Sequence, residues 1–477
     1  MLRKKLACIL GFTCLRITQV FADDVDLDSH GSEAEVTSPA ASYISSTGYI
    51  QNPYVGMSSG GGTASVEESQ IELQNIASKW FNNGTWNVFG TANYVDANGS
   101  NNYSYAANIF AQTGQVAGFS FGTFITIANP FLGGINPSNP EQQDQGSPIN
   151  QQITPQELFA EYQYKNILQV DAGWIGISNS PWLTYYQNNA LNLVTYQGVM
   201  ANIHPGGGWL ITALALNGMQ RLGQTGFSNQ TFYNYNQFYN ATGIEEIGGG
   251  GSSGTTALGA QWSTPSNDFN VRLWGYQFNN YANLAYIDSN LKFPINKDLS
   301  LTLSAQGGIE GSNGGDNNVF TQANLGNVNS NFIGVQLGLN YDKFSVQAAY
   351  NNIWGGEDSY MGGGIVSPAT YGIQTDPLYT QGWMMGMVEL SGGSAYKIAP
   401  TLNLLDGNLQ IGPSYEYFAT TSVPAVAEYD LQIVYNVPQV KGLTIFGGYG
   451  YLVQDNHDSE DADGNKYQAQ IMVSYLY

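Results

Sequence analysis

The last eleven residues place the tightest constraint on what this chain can fold into. Ala469, Ile471, Val473, Tyr475 and Tyr477 are apolar or aromatic, while Gln468, Gln470 and Ser474 stand between them. Successive side chains of a strand point to opposite faces, so this period of two describes a ribbon with one greasy and one mostly polar face. The alternation recurs upstream, and no segment keeps a helical period over three turns. After residue 22 no uninterrupted apolar run reaches the roughly 18 residues that a membrane helix needs. If such a chain enters a membrane, it does so as strands. Lipid offers the backbone no hydrogen-bond partner, so strands must satisfy one another there by closing into a barrel.

An export signal opens the chain. Arg3, Lys4 and Lys5 precede an apolar stretch from Leu6 to Leu15, and Val20-Phe21-Ala22 forms a small-residue cleavage site, which predicts a signal peptide over 1–22 cut after Ala22. Cys8 and Cys14 both lie inside it, so the mature chain is expected to have no thiol, no disulfide and no cysteine metal site. Of the 14 basic residues, four (Arg3, Lys4, Lys5, Arg16) leave with the signal, so ten stand against 36 acidic ones, a net charge near −26. Nucleic acid is thereby excluded as a partner. Only 10% of residues are charged, yet there are 32 tyrosines and 9 tryptophans, which argues against disorder. A polar interior, an apolar outer band and aromatic girdles would use this mixture directly.

Residues 23–45 are acidic and small, without periodicity, and read as a disordered periplasmic leader. The barrel is expected over 46–477. Its clearest hairpin runs Ile333, Val335, Leu337, Leu339, Tyr341, turns at Asp342-Lys343, and returns along Phe344, Val346, Ala348, Tyr350. A second ribbon follows Asp406-Gly407 (Leu409, Ile411, Pro413, Tyr415, Tyr417), and a third couples Tyr429–Tyr435 to Leu443–Tyr451 through Pro438–Gly442. Further tight turns are expected near Asn82-Asn83-Gly84, Asn166, Pro205–Gly208 and Pro294–Asp298. Long polar stretches, 127–155, 219–254, 310–329, 354–380 and 455–465, lie between them. The predicted fold is an all-β, closed antiparallel transmembrane β-barrel of about 18 strands (16–20), with short periplasmic turns and long extracellular loops. At that size side chains no longer fill the bore, so a channel is expected.

Charges fix strand phase. Phe269, Val271 and Leu273 alternate with Asn270, Arg272 and Trp274, which turns Arg272 toward the lumen, because a lipid-facing arginine at the bilayer midplane costs about 2–4 kcal/mol. By the same alternation Glu161, Lys165 and Asp171 are pore-lining or rim candidates, with the periplasmic rim at least as good a reading for Lys165 as the lumen. The proline- and glycine-rich stretch 129–155 either folds inward as a constriction or stays outside as an exposed loop. His30, His204 and His457 are dispersed, and Ser459–Gly464 only partly mimics a calcium loop, so no metal, cofactor or catalytic set is assigned.

The closing strand resembles that of bacterial outer-membrane barrels, whose terminal aromatics are read by the barrel-assembly machinery. That likeness marks Val473, Tyr475 and Tyr477 as an assembly signal. Tyr429 to Tyr451, with Lys441-Gly442-Leu443-Thr444-Ile445, and Tyr164 to Gly198, with Ser180-Pro181 and Thr195-Tyr196-Gln197-Gly198, resemble strands of the OprD-type substrate-selective porins. The resemblance implies an 18-stranded channel for small nutrients, often carboxylates guided by a ladder of lumen arginines. The mature chain departs from that pattern, because its only arginines are Arg221 and Arg272. Its acidic excess instead leads us to expect an outer-membrane porin for passive diffusion of small hydrophilic solutes, favouring neutral or cationic ones. The alternative is a receptor or adhesin, or a siderophore-type uptake channel. An enzyme is not expected, since no histidine stands at a strand's outer end beside a serine. Outer-membrane lipid and lipopolysaccharide are the expected surroundings, and monomer and trimer stay open.

Overall fold

A computed structural model describes residues 43–44, 50–51, 84–131, 151–183 apart from 178, 194–220, 226–227, 254–366 apart from 323 and 357, 377–454 apart from 422–423, and 466–476. The cleavage site at Ala22, nearly all of the 23–45 leader, Arg221, His30, His457 and Tyr477 lie outside the described residues.

Two short strands, β1 (Tyr43–Ile44) and β2 (Ile50–Gln51), pair only with each other. Eighteen longer strands then close a ring. They are β3 (Thr85–Ala97), β4 (Ser100–Gln112), β5 (Phe119–Phe131), β6 (Gln152–Tyr164), β7 (Leu168–Ile175), β8 (Thr195–Gly206), β9 (Trp209–Gln220), β10 (Thr255–Ser263) and β11 (Phe269–Phe278). The ring continues through β12 (Ala282–Pro294), β13 (Leu299–Ser312), β14 (Asn329–Tyr341), β15 (Phe344–Gly355), β16 (Gly393–Leu404), β17 (Leu409–Thr420), β18 (Val426–Asn436), β19 (Leu443–Gln454) and β20 (Lys466–Leu476). Every neighbour is antiparallel, and β20 seals the ring against β3 with Val473 opposite Ala92. The ring therefore starts at Thr85, and 46–84 contribute no strand to it among the described residues. No helix among those residues is long and apolar enough to cross a membrane.

The faces are inverted relative to a water-soluble sheet. In β14, Ile333, Val335 and Leu337 are 50%, 49% and 54% exposed, while Gln336 between them is 5% exposed. Water would punish that arrangement and hydrocarbon rewards it. Its register is set by the turn at Asp342-Lys343, which places Tyr341 opposite Phe344, as the hairpin pattern predicts. Asp342 takes up a left-handed φ of 50° there, which its short polar side chain tolerates.

Connections differ sharply between the two ends. At the end that holds the start of β3 and the finish of β20, all turns are short, from the two residues between β14 and β15 to the six between β4 and β5. Loops 132–151, 176–194, 221–254, 313–328, 356–392 and 455–465 all lie at the other end. Loop 176–194 is an addition to the expected set, and the expected loop 127–155 is shorter at both ends, because β5 runs on to Phe131 and β6 begins at Gln152.

Candidate functional site

The interior is built from the polar face of every strand and from two loops that turn into the ring. Loop 176–194 enters beside β8 and β9: the Asn179 side-chain amide donates to Asn202 Oδ1 (3.0 Å) and Thr212 Oγ1 (2.8 Å). Ser180 Oγ meets the Tyr276 hydroxyl at 2.9 Å. Trp182, fully buried, packs edge-on against Tyr286 at 5.9 Å and against Phe332 at 5.7 Å. An apolar cluster thus fills part of the loop end of the barrel, which joins Trp182 and Leu183 to Phe332, Ile365, Leu378 and Met387 from the second loop.

That second loop, 356–392, is a strap tied to the wall by buried carboxylates. Asp430 accepts the Trp383 backbone N–H (2.9 Å), Glu428 accepts that of Met384, and Glu310 accepts that of Val366 (2.8 Å). Each carboxylate oxygen supplies a buried backbone N–H of the strap with the acceptor it needs. Gly382 fits because any Cβ there would collide with the Glu428 carboxylate. From β16, Lys397 donates to the Gln381 carbonyl and pairs with Glu416 at 2.9 Å, both side chains being almost wholly buried. Farther round, Thr380 N–H donates to Asn351 Oδ1 (3.1 Å). With its amide turned to suit its neighbours, Gln306 donates to the Pro377 carbonyl and accepts from the Tyr379 N–H. Burial pushes the Tyr379 phenol well above the usual tyrosine range, so the strap brings no titrating phenol toward Arg272 and Asp288.

The residues singled out from sequence fall at four places. Arg272 stands opposite Asp288 across β11 and β12, with Nε donating to Oδ1 at 2.8 Å, and Tyr286 OH donates to the other carboxylate oxygen (2.9 Å). Glu161 and Asp171 face each other across β6 and β7, both 1% exposed, and share Gln169, whose amide donates to Glu161 Oε2 (3.0 Å) and Asp171 Oδ2 (3.0 Å). Lys165 occupies the turn after β6 with φ 49°, its ammonium 5.3 Å from the centre of the Tyr164 ring, so it stands at the short-turn rim apart from that pair. Val473 and Tyr475 point outward from β20.

The stretch 129–155 begins and ends as strand, with Asn129 and Pro130 in β5 and residues 152–155 in β6, while 132–150 lie outside the described residues. The inward-folded segments described are 176–183 and 377–391 instead. Their anchors were open to sequence reasoning only in part. Glu428, Asp430 and Gln432 alternate with Tyr429, Leu431 and Ile433, which marks them as inward, but nothing local says that a loop arrives to use them. Lys397 between Tyr396 and Ile398, and Glu416 between Tyr415 and Tyr417, carried the same signal and were missed.

Among the described residues eight carboxylates are buried in the interior (Glu157, Glu161, Asp171, Asp288, Glu310, Glu416, Glu428, Asp430); the buried Lys397 pairs with Glu416 and the partly buried Arg272 with Asp288.

A scan against protein-family models finds none that matches, and a search of the curated proteins finds no sequence match. Solved structures do match, and they are outer-membrane porins. The outer membrane protein OpdK from Pseudomonas aeruginosa superposes with a TM-score of 0.66 at 12% identity, covering 83% of this chain and 100% of that one. OccK8 (OprE) from the same organism gives 0.67 at 14% identity, covering 83% and 99%, and a BenF-like porin from Pseudomonas fluorescens gives 0.67 at 12%, with the same coverage. The fold is therefore that of the OprD-type porins, as the resemblance implied, and at these identities the likeness is one of fold.

Proposed function

We propose that this protein is an outer-membrane porin that lets small hydrophilic solutes pass down their gradients and favours neutral or cationic ones. The observation that carries the reading is the inverted ring: eighteen antiparallel strands turn their apolar side chains outward and close around a polar, acid-rich interior. Glu161, Asp171 and the Arg272–Asp288 pair line the route, and the strap 377–391 narrows it near the loop end. Lys165 acts at the periplasmic rim. Val473 and Tyr475, on the outer face of the closing strand, serve with Tyr477 as the assembly signal. The signal over 1–22, cleaved after Ala22, takes the chain out of the cytoplasm, and lipid and lipopolysaccharide surround the mature barrel. Neighbouring structures include OpdK solved with vanillate, a carboxylate. Arg272 and Lys397 are each already paired with a carboxylate, so neither is free to receive such an anion.

Purified protein in planar bilayers tests the reading. Ohmic single-channel steps and a reversal potential of cation sign in a salt gradient are expected. Electrical silence would overturn the porin, and a reversal potential of anion sign would overturn the preference.

A further inference from the structure

One row of paired residues crosses five strands of the wall: Gln432 on β18 stands opposite Gly448 on β19, Gly448 opposite Gln470 on β20, Gln470 opposite Val95 on β3, and Val95 opposite Asn102 on β4. Adjacent strands lie about 4.8 Å apart, so the three carboxamides recur at roughly 10 Å. Each is at least nine-tenths buried and faces inward, and among the described residues each leaves one polar atom without a protein partner: Gln432 Oε1, Gln470 Oε1 and Asn102 Nδ2. The row therefore offers two acceptors and one donor, all neutral.

An indole fills the gap that Gly448 leaves between the two glutamines. A Cβ on Gly448 would lie 2.8 Å from Trp383 Cη2 and 2.9 Å from Cζ2, so only glycine admits the ring there. The ring is held in place at its backbone by Asp430 and at its edge by Phe446, 6.2 Å away and nearly perpendicular. Its Nε1 has no partner among the described residues either. On β19, on β20 from Gln468 onward, and on β3, β4 and β5 no inward residue is ionisable; on β18 Asp430 stands two residues before Gln432, where its carboxylate accepts the Trp383 backbone N–H.

From this juxtaposition we propose that the solutes selected by this channel are neutral polyhydroxylated molecules, sugars of one or two rings, recognised at the Gln432–Gln470–Asn102 row beside Trp383. The proposal rests on the porin reading and narrows its substrate class. A hydroxyl both donates and accepts, so it meets amide oxygens and amide hydrogens alike, whereas a carboxylate satisfies only donors and an ammonium only acceptors. A buried polar atom left unpaired is unfavourable, so a solute that pairs it is favoured over one of equal size that does not. The indole supplies an apolar edge for the C–H face of a sugar ring.

The test is osmotic swelling of proteoliposomes with sucrose against a polyethylene glycol of equal hydrodynamic radius, with glycine as a small reference solute. Sucrose is expected to enter severalfold faster than the glycol. Gln470→Leu and, separately, Gln432→Met, each checked for a folded barrel by heat-modifiable migration, are expected to remove most of that advantage and to leave glycine entry unchanged. Sucrose entry no faster than that of the glycol, or an advantage that survives in both folded variants, overturns the sugar row while glycine entry upholds the porin. Failure of glycine itself to enter overturns the porin reading beneath it.

Discussion

The wall from β19 round to β5 and the wall from β11 to β18 both turn polar side chains inward, but they satisfy them in opposite ways. On the first, neutral groups pair with the next strand: Thr126 Oγ1 donates to Asn108 Oδ1 (2.7 Å), Gln470 Nε2 to Asn93 Oδ1 (2.9 Å), and Gln112 Nε2 to Ser120 Oγ (3.2 Å). On the second, charges pair across strands and also bind a loop, through Lys397, Glu428, Asp430 and Glu310. Neutral pairs are local, so each is lost alone. The charged wall is a network in which one side chain holds a partner strand and a piece of the strap together, so losing it strands several groups at once.

Lys397→Met draws the sharpest contrast. It removes the only cation that faces Glu416 and the Gln381 carbonyl among the described residues, and it leaves a buried carboxylate near two others. Breaking a buried pair from one side costs about 3–5 kcal/mol. Denaturant unfolding of the detergent-solubilised barrel, followed by tryptophan fluorescence, should show a loss of that size. A loss below about 1 kcal/mol, the level of an exposed ion pair, would erase the distinction between the walls. Arg272→Met should cost less, about 2–3 kcal/mol, because Asp288 keeps the hydroxyl of Tyr286 as a donor. A double variant that also changes Tyr286→Phe should recover the difference, and additivity of the two would show that the hydroxyl does not compensate.

The neutral wall predicts smaller numbers. Thr126→Val keeps the shape of the side chain and takes away one donor, so Asn108 Oδ1 loses its 2.7 Å contact. About 1–2 kcal/mol is expected in the same unfolding measurement, with no change in conductance. An effect as large as that of Lys397→Met would mean that this wall too is a network.

The two walls were also unequally legible in the sequence. Alternation fixed the phase of nearly every strand, because a one-residue slip would turn an entire greasy face into the bore. The β14–β15 turn and the inward course of Arg272 followed from that rule alone. A neutral wall consists of nothing else, so it could be read strand by strand. The strap could not, because its ties join residues far apart in the chain, such as Val366 to Glu310 and Met384 to Glu428, and no local pattern encodes a loop's direction. Loop 176–194 was missed for a related reason: Ile175, Ile177, Trp182 and Leu183 look like one more greasy face, yet they are buried inside the ring.

The smallest expected effect separates holding the strap from choosing the ion. Glu428→Gln with Asp430→Asn retains a carbonyl oxygen for the N–H groups of Met384 and Trp383, so the strap should stay and stability should change by less than about 1 kcal/mol. What is lost is the pair of ionisable groups that meet the strap at Met384 and Trp383. If this channel favours cations as proposed, the cation-to-anion permeability ratio, read from the reversal potential, should then fall by about twofold, with Glu161 and Asp171 retained. Conductance that rises severalfold would instead mean that the charges themselves fasten the strap, since an amide oxygen in the same position had failed to do so. An unchanged ratio at unchanged conductance would place ion choice elsewhere, and neutralising Glu161 and Asp171 together would then be the variant that moves it.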